Sequence, residues 1–295
     1  MDMARVQRLN LPPWLNAMLV DWPIFLGLLA LAIPTLASLA SQVWSTEAGV
    51  HGPIVIATGL WLIARRKDEI LQIRQPSSGW VIAAIMVPAL LLYTFSRAFD
   101  FISVEVGALG LILIAVFYHY FGAEAVRRLW FPILYLAFVV PLPGWLVDQI
   151  TSPLKSYISW SATELLRWAG YPIAREGVTL YIAQYQLLVE DACAGLNSLI
   201  SLTAISLFYI YILHNNASWR YSAFLILWIV PMALLANLVR VLALVLITYY
   251  LGNEAAQGFL HSTAGLVMFA TALLGIFAID KLMSPIRRWL TGDRA

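Results

Sequence analysis

Apolar runs long enough to cross a lipid bilayer recur along this chain, and they constrain its fold more than any other feature. A spanning helix needs about 20 mostly apolar residues, because each residue adds 1.5 Å of rise across a hydrocarbon core of about 30 Å. Charged residues make up 12% of the 295 residues, whereas soluble domains carry about 25%. The chain is therefore predicted to be an all-α polytopic membrane protein with a lipid bilayer around it.

Eight spans are predicted within one integral membrane domain that covers residues 1–295. Pro231 is expected to kink the seventh span, which is too long for the hydrocarbon core. No cleavable signal peptide is expected, so the first apolar run is interpreted as a retained span. The predicted spans are residues 23–43, 51–64, 79–96, 101–120, 130–147, 194–214, 221–250 and 259–280.

The basic residues predict the orientation of these spans, because Lys and Arg favour cytoplasmic loops. Thirteen of the 18 basic residues flank span ends that fall on one side of the membrane. The opposite side receives four, namely Arg97, Lys155, Arg167 and Arg175, and Arg240 lies inside a span. Both termini are therefore expected in the cytoplasm.

This orientation places residues 148–193 outside the cytoplasm, just before the sixth span. The first half has apolar residues at helical spacing, and Trp160 and Trp168 suit a small amphipathic helix in the membrane interface. The second half is rich in Val, Ile, Tyr and Thr. It predicts a β-hairpin with a possible turn at Glu176-Gly177.

Three chemically notable residues reach the same predicted depth at the outer face. Cys193, the only cysteine, lies where the sixth span enters, Arg240 near the outer boundary of the seventh, and His261 at the start of the eighth. A cysteine thiolate is a nucleophile, and a helix N-terminus or a nearby imidazolium favours it. Histidine can protonate a leaving amine, and arginine suits a developing oxyanion. The pattern fits acyl transfer through a cysteine.

Three neighbouring residues are candidates for supporting roles. Glu190 and Asp191 precede the cysteine; they disfavour a thiolate at close range, but they can instead orient His261 or bind a substrate group. Asn237 lies one turn before Arg240 and can share its partner or join two helices.

Structural interpretations remain open for each of the three. A lone cysteine at a helix start can be a small packing residue, and His261 an interfacial histidine. Arg240 can be a structural charge paired with Glu254 or Asp191. One cysteine excludes an internal disulfide and a CxxC redox pair. No metal site, cofactor or nucleic-acid partner is predicted.

Several segments together resemble the exosortase/archaeosortase family. They are "EDACAGLNSLISL" from residue 190, "NLVR" at 237–240 and "GFLHSTAG" at 258–265, with similar upstream stretches that extend the likeness over residues 130–270. The cysteine box differs from the commonest form: Cys193-Ala194-Gly195 replaces Cys-Ser-Gly, and Asn197 stands where many members carry Arg. Asn197 is thus a further supporting candidate.

The resemblance implies a bacterial exosortase of the plasma (inner) membrane. Such a thiol protease or transpeptidase processes exported, membrane-anchored proteins with a C-terminal sorting signal of the PEP-CTERM type. That signal is a short motif such as Pro-Glu-Pro, a spanning helix and a basic tail. The family is often linked to exopolysaccharide production. By resemblance, Cys193 is the nucleophile, with Arg240 and His261 its catalytic partners, on the periplasmic side.

Arg175 or Lys155 is a candidate to pair with the acidic residue of such a substrate. Two other classes stay open. A transporter or lipid-linked sugar handler would use Arg240 as an anion site, and a structural subunit of a polysaccharide assembly would need none of the three residues.

Overall fold

The computed structural model describes residues 21–46, 49, 51–73, 77–188, 198–213, 219–262 and 264–283. The chain forms two compact units: one comprises residues 1–42 and 68–128, and the other comprises residues 43–67 and 129–295. The first and smaller unit contains the long helices α1 (Trp22–Gln42), α4 (Gly79–Ala98) and α5 (Ile102–Arg128). A short helix, α3 (Lys67–Leu71), lies at the boundary between the two units.

A buried polar cluster joins the three long helices of the first unit. The Thr35 hydroxyl of α1 donates to Glu105 Oε1 of α5 at 2.7 Å, and Arg97 Nη1 from the end of α4 donates to the same oxygen at 3.1 Å. Glu105 is only 2% exposed. A buried carboxylate in an apolar bundle needs such partners, since removing one would leave an uncompensated charge.

The second unit begins with α2 (Gly52–Arg65), followed after the boundary by α6 (Trp130–Leu136) and one 3₁₀ turn (Ala137–Val139). Residues 140–143 then interrupt the helix, and α7 (Gly144–Trp168) leaves at 92° to the preceding helical stretch. Pro141 and Pro143 explain the break, because proline donates no backbone hydrogen bond and disfavours helix in the residue before it. The sequence predicted one span over residues 130–147, whereas the helical stretch before the bend ends at Val139.

Three antiparallel strands follow α7: β1 (Ile173–Glu176), β2 (Thr179–Ile182) and β3 (Tyr185–Leu188). Glu176 pairs with Thr179 across the first turn, and Ile182 pairs with Tyr185 across the second. The sheet therefore has one strand more than the hairpin predicted from the sequence.

Four further helices complete the second unit, and α9 is the central one. They are α8 (Ser198–Leu213), α9 (Trp219–Leu251), α10 (Asn253–Ser262) and α11 (Ala264–Leu282). Helix α9 packs against α7, β3, α8, α10 and α11. Near the start of α9, the Tyr221 hydroxyl donates to Asp280 Oδ1 of α11 at 2.6 Å.

Helices long and apolar enough to cross a membrane account for most of this architecture. Four meet that description in the part of the chain that the structure describes: α1, α4, α5 and residues Tyr221–Leu251 of α9. A fifth is added if the bent pair of α6 with its 3₁₀ turn and α7 counts as one span. Helix α2 and residues Thr203–Ile212 of α8 are apolar but shorter. The protein is thus a multi-pass membrane protein, with eight spans remaining a prediction.

Candidate active site

Helix α9 carries a stripe of buried side chains that includes two of the candidate residues. Arg240 is 2% exposed and Asn237 is 1% exposed. They lie three residues apart, so they share one face of the helix. Thr248 continues that face and is fully buried, bonding back to the Leu244 carbonyl at 2.8 Å. Arg240 is the largest of the fully buried side chains among the described residues.

Next to this stripe, other residues of α9 pack into a hydrophobic group, here named the sheet cluster. It joins one face of α7, the inner side chains of all three strands, α9 and the first turn of α10. Helix α7 buries one face, and strand β2 buries alternate residues, so that their apolar sides meet α9. The buried members are Ile158, Ala162, Leu166, Ile173, Leu180, Ile182, Leu187, Val241, Leu244, Val245 and Ala256.

Strand β3 delivers the chain to the cysteine segment. It packs against α9, with Leu187 in the sheet cluster. The strand ends at Leu188 and α8 begins at Ser198, so Cys193 is flanked on both sides by elements that contact α9. Cys193, Glu190, Asp191 and Asn197 lie outside the residues that the structure describes, and their roles stay predictions.

A sharp turn at Gly252 connects α9 to α10. Gly252 has φ +88°, a conformation that glycine adopts without the strain imposed on other residues. A Cβ built at Gly252 would lie 3.6 Å from the Tyr185 hydroxyl oxygen, so β3 starts beside this turn. Helix α10 packs against α9 and carries the backbone of His261 in its last turn. The side chain of His261 is outside the described part.

Tyrosine contacts join the segment before the sheet to the end of α9 that precedes Gly252. The Tyr171 and Tyr250 hydroxyl oxygens are 2.9 Å apart, and the Tyr171 ring meets the Tyr249 ring edge-on at 5.4 Å. The hydrogen bond to Tyr250 raises the pKa of the Tyr171 phenol. The Tyr171 hydroxyl therefore stays protonated around neutral pH.

The two basic residues proposed for substrate binding differ in environment. Arg175 is exposed on β1, and its Nη1 donates to the Gly177 carbonyl at 3.0 Å. Lys155 is on α7 with a side chain 14% exposed, and its Nζ lies 3.7 Å from Asp148 Oδ1. Arg175 is thus the more accessible of the two to an external carboxylate.

A cavity of about 200 Å³ lies at the bend before α7, and the sequence did not point to it as a site. Its wall includes the start of α2 at His51, the 3₁₀ turn at Phe138 and the first turn of α8 at Ile200. His51 is 8% exposed, with Nε2 at 3.3 Å from the Phe138 carbonyl oxygen. The sequence around His51 did not predict this contact, because Phe138 is 87 residues away in the chain.

The fold and buried arginine define a multi-pass membrane protein with a polar, charged position inside its helical core. The model of the transmembrane exosortase family matches residues 43–278, about four fifths of the chain. The protein belongs to this family. Membership implies processing of sorting signals, and the family is generally one of cysteine-type transpeptidases. No curated protein and no solved structure matches the chain.

Proposed function

We propose that this protein is a cysteine-dependent transpeptidase that cleaves the C-terminal sorting signal, of PEP-CTERM type, from exported proteins. The reaction takes place at the outer face of the plasma membrane. One observation carries the proposal: Arg240 is 2% exposed inside α9, and the neighbouring residues Val241 and Leu244 of that helix pack into the sheet cluster. A guanidinium in such a place is costly, which makes an ionisable residue there a functional-site hypothesis.

The heights of the candidate residues along the helices support a common site. Arg240 precedes the Gly252 turn by 12 residues and His261 follows it by nine. At 1.5 Å per residue, a return of α10 alongside α9 brings both to within about 5 Å of the same level. Strand β3, which leads into the cysteine segment, starts beside that turn.

The proposed reaction uses the three residues in sequence. The Cys193 thiolate attacks the scissile carbonyl carbon, and Arg240 donates hydrogen bonds to the oxyanion that forms. The C–N bond then breaks, and His261 gives its proton to the leaving amine. An acceptor amine or water then attacks the carbonyl carbon of the resulting thioester, so that a C–N or C–O bond forms and the C–S bond breaks. The proton lost by the nucleophile restores the Cys193 thiol.

The remaining candidates serve this site from its periphery. Asn237 shares the partner of Arg240 or joins α9 to a neighbouring helix. Asn197 follows the cysteine by four residues. Glu190 and Asp191 orient His261 or contact the substrate. Arg175 or Lys155 pairs with the substrate's acidic residue, and the greater exposure of Arg175 favours it.

The decisive experiment follows the processing of a reporter protein that carries a C-terminal sorting signal, in cells that lack the native gene. Cys193→Ala should leave the reporter as uncleaved precursor, because no other thiol exists in the chain. Ser152→Ala, an exposed substitution on α7, is the matched control and should process normally.

The same assay separates the competing functions. A transporter or sugar-handling protein would tolerate Cys193→Ala but not Arg240→Ala, and a structural subunit would tolerate both. Normal processing by a Cys193→Ala protein present at wild-type level in the membrane would refute the cysteine mechanism.

A further inference from the structure

The cavity at the bend before α7 lies beside the ends of four elements of the second unit. Its walls come from the start of α2, the 3₁₀ turn, the first turn of α7 and the first turn of α8. Ile200 of the wall is seven residues after Cys193 in the sequence. The cavity therefore adjoins the helix that directly follows the proposed nucleophile.

Apolar side chains and irregular backbone share the lining. Trp44, Phe138, Val147 and Ile200 are apolar members of the wall. Its polar side chains are His51, which bonds to the Phe138 carbonyl, and Asp148, which is 73% exposed and lies 3.7 Å from Lys155 Nζ. Residues 140–142 have no helical or strand assignment, and they also form part of the wall. Backbone of this kind at membrane depth is tolerated where it is buried in protein or lines a cavity.

Two features hold the walls in place. The His51 Nε2–H donates to the Phe138 carbonyl oxygen, which joins the start of α2 to the 3₁₀ turn. A Cβ at Gly52 would overlap the Trp44 indole, so the glycine lets the indole pack against α2. The cavity is thus built by contacts between elements far apart in sequence.

The size of the cavity limits what can occupy it. Pockets for drug-sized ligands measure about 300–1,000 Å³, whereas this one measures about 200 Å³. That volume suits one amino-acid side chain with its backbone and is too small for a lipid-linked sugar. The apolar lining favours an uncharged side chain the size of leucine.

We propose that this cavity is a specificity subsite that takes one apolar side chain of the substrate, from the extended segment near the scissile bond. The inference rests on the proposed function of Cys193. It adds the substrate feature that this chain selects, namely an apolar side chain at one fixed distance from the cleaved bond.

Affinity labels test the subsite without knowledge of the natural substrate. Peptidyl chloromethyl ketones alkylate a thiolate: the sulfur bonds to the methylene carbon and chloride leaves. The probes are an all-glycine tetrapeptide ketone and four versions with leucine at one position. Labelling of Cys193 in membrane vesicles is followed by mass spectrometry, with Cys193→Ala as the blank and iodoacetamide as the measure of intrinsic thiol reactivity.

Leucine at one position should accelerate labelling about tenfold to a hundredfold over the all-glycine ketone, as expected for burying its side chain. Val147→Trp fills the cavity and should abolish this preference while iodoacetamide labelling stays unchanged. Ile150→Trp is the matched control: it lies on the same helix, is 53% exposed and is not part of the wall, so the preference should persist.

A second variant keeps the test valid if Val147→Trp fails to fold. Leu142→Ala enlarges the cavity at its rim, where Leu142 is 43% exposed, and should shift the preference from leucine to phenylalanine. Equal labelling by all five ketones in the wild type would overturn the subsite, as would a leucine preference that neither variant alters. The processing assay with Cys193→Ala tests the proposed function separately.

Discussion

Arg240 is the residue whose proposed role can be tested most directly by a conservative substitution. Its side chain is 2% exposed on a membrane helix. A lysine keeps the charge but lacks the planar fork that donates several hydrogen bonds at fixed angles. If Arg240 acts only through its charge, lysine should replace it. If it acts through the directed hydrogen bonds of the guanidinium, lysine should not.

We expect Arg240→Lys to lower the rate of reporter processing by about a hundredfold to a thousandfold, the loss seen when one oxyanion donor is removed. The rate is measured by pulse labelling of precursor and product. Arg127→Lys, a change at the end of α5 where the side chain is 80% exposed, is the control for loss of a guanidinium elsewhere. Wild-type rates in Arg240→Lys would show that charge alone is required.

The candidate site residues are predictions from the sequence, but the sequence did not predict the burial of Arg240. The membrane depth of Arg240 follows from counting residues from the span ends. Its burial depends on which sides of α9 are covered by the elements packed around it, and helix periodicity is weak on a segment that is apolar almost all round. The role of His51 in a cavity wall was missed for a similar reason, since Phe138 is distant in sequence.

The turn between α9 and α10 is the element that sets the height of His261 against Arg240. Gly252 adopts φ +88°, and a Cβ there would meet only the Tyr185 hydroxyl at an ordinary contact distance of 3.6 Å. Any effect of alanine at this position must therefore come from the backbone rather than from a clash.

We expect Gly252→Ala to strain the turn by about 1–3 kcal/mol and to reduce processing by misplacing α10. Processing and thermal unfolding in detergent are both measured. Gly110→Ala is the control, because Gly110 lies within α5 with open space around its Cβ position. It should leave processing intact and raise stability slightly. Equal behaviour of the two variants would show that the turn does not position the site.

The third strand shows why the extramembrane elements were only partly predictable. The first turn contains Gly177 with φ +59°, a residue that marks a turn in the sequence. The second turn is formed by Ala183 and Gln184, and Ala183 has φ +48°. Two-residue hairpins usually place Asn or Gly there, so the sequence contains no signal for this turn, and packing of Leu187 against α9 stabilises it instead.

At the scale of the whole molecule, the orientation in the membrane is the prediction on which the proposed function depends. A membrane-impermeant thiol reagent should modify Cys193 from the outer side only. In a Cys193→Ala background, Ala174→Cys on β1 should react from outside and Lys67→Cys from the cytoplasmic side; both positions are exposed. Right-side-out and inside-out vesicles distinguish the two. Reaction of Ala174→Cys only in inside-out vesicles would reverse the proposed topology.

The amphipathic helix α7 has a consequence for how the protein meets membranes of different thickness. Helix α9 has 33 residues and is about 50 Å long, well beyond a hydrocarbon core of about 30 Å. One face of α7 packs on α9, and exposed Trp160 and Trp168 suit the headgroup region. In the proposed orientation, α7 would rest in the outer interface and hold α9 at a fixed height there. Mismatch with a thinner or thicker bilayer would then fall on the cytoplasmic end, and the level of Arg240 relative to the outer surface would stay constant.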